Sequence, residues 1–121
     1  MSKSGSRLMV VNTHLGFRAP ERKRHVGELL DGLSWHRTSA VVVAGDLNSG
    51  PKSAAWQALY EGGLRDPEPG SGPMFPAWEP AKRIDALLVS ADVQVSDYRV
   101  VSTRGVERAT DHRPVLAVLD V

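Results

Sequence analysis

Apolar residues gather in short runs along this chain, and the polar residues between them follow two different rhythms. Arg7 to Asn12 (RLMVVN) is a short apolar run that ends in polar residues, which predicts a buried strand. Leu15 to Pro20 follows as a loop. Pro20 suits the first turn of a helix, where the N–H it lacks would have no partner anyway. From Glu21 to Leu33, the residues Val26, Leu29, Leu30 and Leu33 recur at helical spacing with charges between them. A helix with one apolar stripe is expected there, ended by Gly32 and Ser34. Ser39 to Gly45 (SAVVVAG) is β-branched, apolar throughout and cut off by glycine, the pattern of a central strand covered on both faces. Ser49-Gly50-Pro51 opens a second helix with Ala54, Ala55, Trp56 and Leu59 on its inner face, and Gly62-Gly63 stop it. Pro67 to Pro80 is rich in proline and glycine without periodicity and reads as a loop. Ile84 to Ser90, Val95 to Ser102 and Pro114 to Leu119 read as three further strands.

The order strand, helix, strand, helix and then three strands predicts an α/β fold, a mixed β-sheet of about five strands with two helices. Helices of that count cover one sheet face. The other face then needs a partner, because an uncovered apolar sheet face invites association. Residues 1–6 are expected to form a disordered polar tail and residues 7–121 a single domain, which suits a chain of 121 residues. Hydrophobic residues make up 41%, enough for a packed core, while a formal net charge of +1 provides no broad basic field to grip nucleic acid. The Arg22-Lys23-Arg24 run reads as a solvated helix face. There is no cysteine, which excludes disulfides and thiolate metal sites. No stretch approaches the roughly 18 apolar residues of a membrane helix, and Met1 to Ser6 lacks the apolar core of a signal peptide. A cytoplasmic location is therefore expected.

Polar clusters stand where the strands end: Asn12-Thr13-His14, Asp46-Leu47-Asn48, Arg83-Ile84-Asp85 and Asp111-His112-Arg113. In α/β sheets, strand ends and the loops after them are where sites are assembled. Together the clusters offer carboxylates, imidazoles and asparagine amides. Mg²⁺ wants oxygen ligands and keeps several waters. Phosphoryl transfer wants positioning and charge neutralisation more than covalent chemistry. Asp46 and Asn48 are two residues apart and, on an extended or turning backbone, would address one water or one phosphate oxygen together. Equally, Gly-Asp-Leu-Asn-Ser-Gly-Pro is a turn-rich segment in its own right. Asp111 and Thr110 could simply cap a turn, and a lone His14 is an ordinary surface histidine. Asp85 adjoins an apolar strand, and a buried carboxylate needs a partner. A histidine would serve and would have its tautomer fixed in return. Arg83 competes for that carboxylate. Phe75 and Trp78, in the proline-rich loop, could stack on a base or lipid or pack beneath the loop.

Taken in order, NTHL, GDLNSGP, MFPAWEPAKRID and TDHRPV resemble the endonuclease/exonuclease/phosphatase superfamily, which includes DNase I-like nucleases, abasic-site endonucleases, inositol-phosphate phosphatases and sphingomyelinases. The resemblance runs from Leu8 to the C-terminus and covers the C-terminal half of the family's pattern. It implies half of the DNase I-like four-layer sandwich. It also implies that Asn12 and His14 border the scissile phosphate and that Asp46 and Asn48 orient or activate the attacking water. Asp85 would support His112, His112 would act on the phosphate, and Asp111 would help to hold Mg²⁺ or Mn²⁺. Thr110 stands where serine is usual. The family's first half brings an early asparagine and a metal-binding glutamate, and Glu21, Glu28 and Glu61 are not placed like that glutamate. The activity implied is hydrolysis of a phosphodiester or phosphomonoester by activated water, as in a nuclease or phosphatase. Substrates would be nucleic acid, sugar phosphates or phospholipid head groups. The partners implied are a second copy of the chain or the missing N-terminal half. The alternative is a non-catalytic truncated domain or subunit that associates through its exposed sheet face.

Overall fold

A computed structural model of the chain describes residues 7–35, 40–102, 105 and 110–120. Its elements are β1 (Leu8–His14), α1 (Ala19–Ser34), β2 (Ala40–Asp46), α2 (Ala54–Glu61), β3 (Leu64–Arg65), β4 (Asp85–Ser90), β5 (Gln94–Val100) and β6 (Val115–Asp120). The expected α/β class with two helices is present, with six strands in two sheets. A four-stranded sheet has the order β1-β2-β4-β3, and β5 and β6 form a two-stranded sheet. β1 runs parallel to β2, while β4 runs antiparallel to both β2 and β3. The added strand, β3, is two residues long and too short to leave a periodic signal. Among the described residues no helix is long and apolar enough to cross a membrane.

Both helices lie on one face of the larger sheet. Side chains alternate across a strand, so Met9, Val11, Val41, Val43, Ala86 and Leu88 share a face. They pack with Val26 of α1 and with Ala55, Trp56 and Leu59 of α2. The other face carries Ala40, Val42 and Val89, over which Val95 and Leu119 of the β5–β6 pair are laid. That cover is partial. Val10 of β1 is 64% exposed there, while Leu116 and Val118, 47% and 48% exposed, lie on the outer side of β6, opposite Leu119. The expectation that one sheet face lacks full cover matches this arrangement.

Local chemistry explains most element boundaries. Glu21 accepts from the Arg18 backbone N–H at 3.5 Å at the start of α1, and Pro20 occupies its first turn. The second helix starts later than its turn-rich lead suggested. Residues 50–52 form a turn, and the Ser53 hydroxyl caps the helix by accepting from Trp56 N at 3.4 Å. Arg83 ties the end of the long loop to the core. It makes a two-pronged ion pair with Asp66 at 2.6 and 3.0 Å and lies over the Trp56 ring at 5.3 Å. Burial works against the charged guanidinium, but the hydrogen bonds it donates to Asp66 and Tyr98 outweigh it and raise the Arg83 pKa. Arg22, expected on a solvated face, instead turns back to the carbonyls of Gly16 and Phe17, while Lys23 and Arg24 are exposed. Ser39 and residues 1–6, read from sequence as a strand start and a tail, lie outside the described residues.

Candidate active site

Three strand ends meet at one edge of the sheet. β1 and β2 are parallel, so their C-terminal ends coincide and His14 pairs in register with Asp46. β4 is antiparallel to β2, so its first residue, Asp85, arrives opposite Asp46. The loop before β6 brings His112 to the same place, and its Nδ1 lies 2.8 Å from Asp85 Oδ2. That contact settles the competition for Asp85, since Arg83 is held by Asp66. Asp85 fixes the imidazole so that Nε2 faces Asp46, whose Oδ2 is 3.6 Å away. His14 Nε2 is also 3.6 Å from Asp46 Oδ2. These separations exceed a direct hydrogen bond. The Asp46 carboxylate therefore lies near two imidazoles without being tied to either.

Gly45 makes this placement possible. It has φ +148°, and a Cβ there would overlap the Thr13 carbonyl of β1. A glycine lets the two strands close up immediately before Asp46. Beyond it, Asp46 Oδ1 accepts from the Asn48 backbone N–H at 2.8 Å. Asn48 has φ +49°, so the backbone there is left-handed and not extended. Its side-chain amide donates to the Leu15 carbonyl. Asp46 and Asn48 are thus joined through the backbone N–H, and the Asn48 amide braces the loop after β1.

Asn12, Asp46, Asp85, Thr110, His112 and Arg113 line an open cleft of about 610 Å³. Asn12 lies on β1 on the same side as Val10, at the margin of the incompletely covered face. Burial raises the Asp85 pKa, the hydrogen bond and charge of His112 oppose the shift, and the charges of Asp46 and Asp111 add to it. Asp111 is exposed, and its backbone carbonyl accepts from Ala77 N at 2.7 Å. Sequence reasoning named Phe75 as a stacking or packing residue but did not place it beside His112, from whose ring centroid its own lies 4.6 Å away. No periodicity marks a residue in an irregular loop. Trp78, three residues on, is 62% exposed.

One ligand atom from each of Asp46, Asp85 and His112 lies within 4.8 Å of the others. Carboxylate oxygens with one imidazole nitrogen suit Mg²⁺ or Mn²⁺ that keeps several waters. Asp111 stands outside that group among the described residues.

No protein-family model and no curated protein matches the sequence. Solved structures do match in fold. An endonuclease/exonuclease/phosphatase from Bacteroides vulgatus superposes with a TM-score of 0.81 at 24% identity, over 98% of this chain and 51% of that one. A mannosyl-6-phosphatase from Bacteroides thetaiotaomicron gives 0.71 at 23% identity, over 93% and 51%. The human nocturnin catalytic domain gives 0.70 at 17% identity, over 98% and 48%. The chain has the fold of half an endonuclease/exonuclease/phosphatase protein.

The chain spans about half the length of these endonuclease/exonuclease/phosphatase structures, which fits the expectation of a C-terminal half. In this half-fold, the strand ends of the four-stranded sheet carry His14, Asp46 and Asp85, and the loop before β6 carries His112.

Proposed function

We propose that this chain carries the water-activating part of a divalent-metal-dependent phosphoesterase site. The observation that supports this most is the run Asp85–His112–Asp46, set in an open cleft of a fold that phosphoesterases use. Asp46 orients a water and takes its proton as the oxygen attacks phosphorus in line with the leaving oxygen. Asp85 holds His112 Nδ1, so Nε2 points into the cleft and stabilises the charge that builds on the phosphoryl oxygens. His14 does the same, and Asn12 holds a phosphate oxygen. Asn48 keeps Asp46 in place through its backbone N–H. Mg²⁺ or Mn²⁺ would be held at the Asp46 carboxylate by waters, with Asp111, which lies outside the Asp46–Asp85–His112 group, as a nearby carboxylate, and would supply charge neutralisation at the phosphate. Substrates are phosphate esters such as nucleic acid, sugar phosphates or phospholipid head groups.

The test is hydrolysis of bis(4-nitrophenyl) phosphate by the purified chain with Mg²⁺ or Mn²⁺ and with chelator. Asp46→Ala and His112→Ala should each lower the metal-dependent rate by roughly 10²- to 10⁴-fold. Activity that survives both substitutions would overturn the reading.

A second reading is supported by Val10, exposed on the partly covered face of the larger sheet. In it the chain associates through that sheet face, with a second copy or with a polypeptide supplying the other half of the fold.

A further inference from the structure

A hydrogen bond at one ring nitrogen does not hold an imidazole still. The Asp85 contact fixes His112 Nδ1 at 2.8 Å but leaves the ring free to pivot about that bond. Nε2 must nevertheless stay aimed at the space beside Asp46, 3.6 Å away. A surface against the ring face would remove the pivot. Phe75 offers one, with ring centroids 4.6 Å apart and planes inclined by 44°.

The segment that carries Phe75 is bonded to the residues on both sides of His112. Arg113 N donates to the Met74 carbonyl at 2.8 Å, and Ala77 N donates to the Asp111 carbonyl at 2.7 Å. Arg113 Nε donates to the Ala77 carbonyl at 2.9 Å. Met74 and Ala77 are fully buried, so this brace is anchored in the interior. On its other side, Phe75 exchanges backbone hydrogen bonds with Lys82, at 3.2 Å from Phe75 N and 2.9 Å from Lys82 N. That ladder links the brace to Arg83 and then to Asp85. One irregular segment thus connects both members of the Asp85–His112 pair.

We infer that Phe75 is a positioning residue that locks the His112 ring in the orientation set by Asp85. The inference rests on the phosphoesterase reading for its kinetic consequence and stands apart from it for its structural one. It assigns a task to the loop from Pro67 to Pro80 beyond closing the chain between β3 and β4. A precedent in physical terms is the outer partner of a catalytic or metal-bound histidine, which sets geometry without touching the substrate.

The experiment uses the full chain, labelled at histidine and phenylalanine, in metal-free buffer for NMR, and then with Mn²⁺ for kinetics. The wild type should show contacts between the Phe75 and His112 ring protons, with the His112 protons displaced by the aromatic ring current. Phe75→Leu should remove that displacement and broaden or lose the His112 Nδ1–H signal. It should lower kcat roughly 10-fold and leave KM within about twofold, since the residue does not touch substrate. Phe75→Tyr should restore both the His112 signal and kcat. A packing role alone would lower stability without changing the His112 signal or splitting kcat from KM. Absence of Phe75–His112 contacts in the wild type would overturn the inference, and this arm holds even if Phe75→Leu does not fold. An unchanged His112 signal and kcat in folded Phe75→Leu would overturn it too. Should the wild type hydrolyse nothing, the phosphoesterase reading fails, while the NMR arms still decide the positioning role.

Discussion

Asp85 begins β4 partly withdrawn from water, and burial raises its carboxyl pKa above the ordinary range against the pull of His112. The sign of the linkage follows from which state binds the proton more tightly. The folded chain holds it longer than the unfolded chain, so Asp85 favours folding most at pH below the ordinary carboxylate range. Stability is lost as pH rises from the unfolded value of about 4 through the raised folded one. Asp85→Asn carries no such titration. In metal-free buffer its melting temperature relative to the wild type should therefore climb across that window and plateau above it, while phosphodiester hydrolysis falls. Thermal unfolding at a series of pH values measures this, and a relative melting temperature that drops with pH would contradict it. Sequence alone left Asp85 between Arg83 and a histidine, because residue spacing along a strand says nothing of a residue 27 positions away. For Asn48 the turn-rich setting was legible, but not the φ of +49° that sends its amide to the Leu15 carbonyl. For Phe75 the sequence offered stacking on a base or lipid or packing beneath the loop, but not its contact with His112, which depends on how an irregular loop closes.

The elements themselves were largely legible, because burial dictates their rhythm. The apolar run of β2 and the helical spacing in α1 both reflect packing against the same core. Polar residues at strand ends were harder: β1 runs on through Thr13 to His14 because β2 pairs with it that far. The division into two sheets was not legible either, since pairing partners are set by the whole fold and β5 to β6 closes on itself. At this scale Gly45 is the hinge of the account. Gly45→Ala would require a left-hand-side φ of +148° and a Cβ overlapping the Thr13 carbonyl. A glycine-to-alanine change at a compatible backbone stabilises by about 0.4–1 kcal/mol, whereas here it should destabilise by more than that, with activity falling further than stability as Asp46 shifts. Urea unfolding beside the hydrolysis assay checks this, and a neutral effect on both would remove Gly45 from the account.

At the scale of the whole molecule, an apolar face is only partly covered, and solved structures of the same fold are about twice the length aligned here. Val10, exposed on that face, should drive concentration-dependent association, visible as a rise in mass by light scattering. Val10→Lys should suppress that rise with the fold intact, and a wild type that stays monomeric at high concentration would argue against an interface there. The expectation of an uncovered face came from counting two helices against one sheet, which is a question of layers and so was within reach of sequence. The central claim is that the cleft at the strand ends directs water onto phosphorus. Hydrolysis of a phosphodiester in ¹⁸O-labelled water with Mn²⁺, followed by mass spectrometry, addresses it directly. The account predicts one labelled oxygen in the phosphomonoester product, unlabelled alcohol, and no product above background with His112→Ala. Label in the alcohol, or equal turnover by His112→Ala, would contradict it.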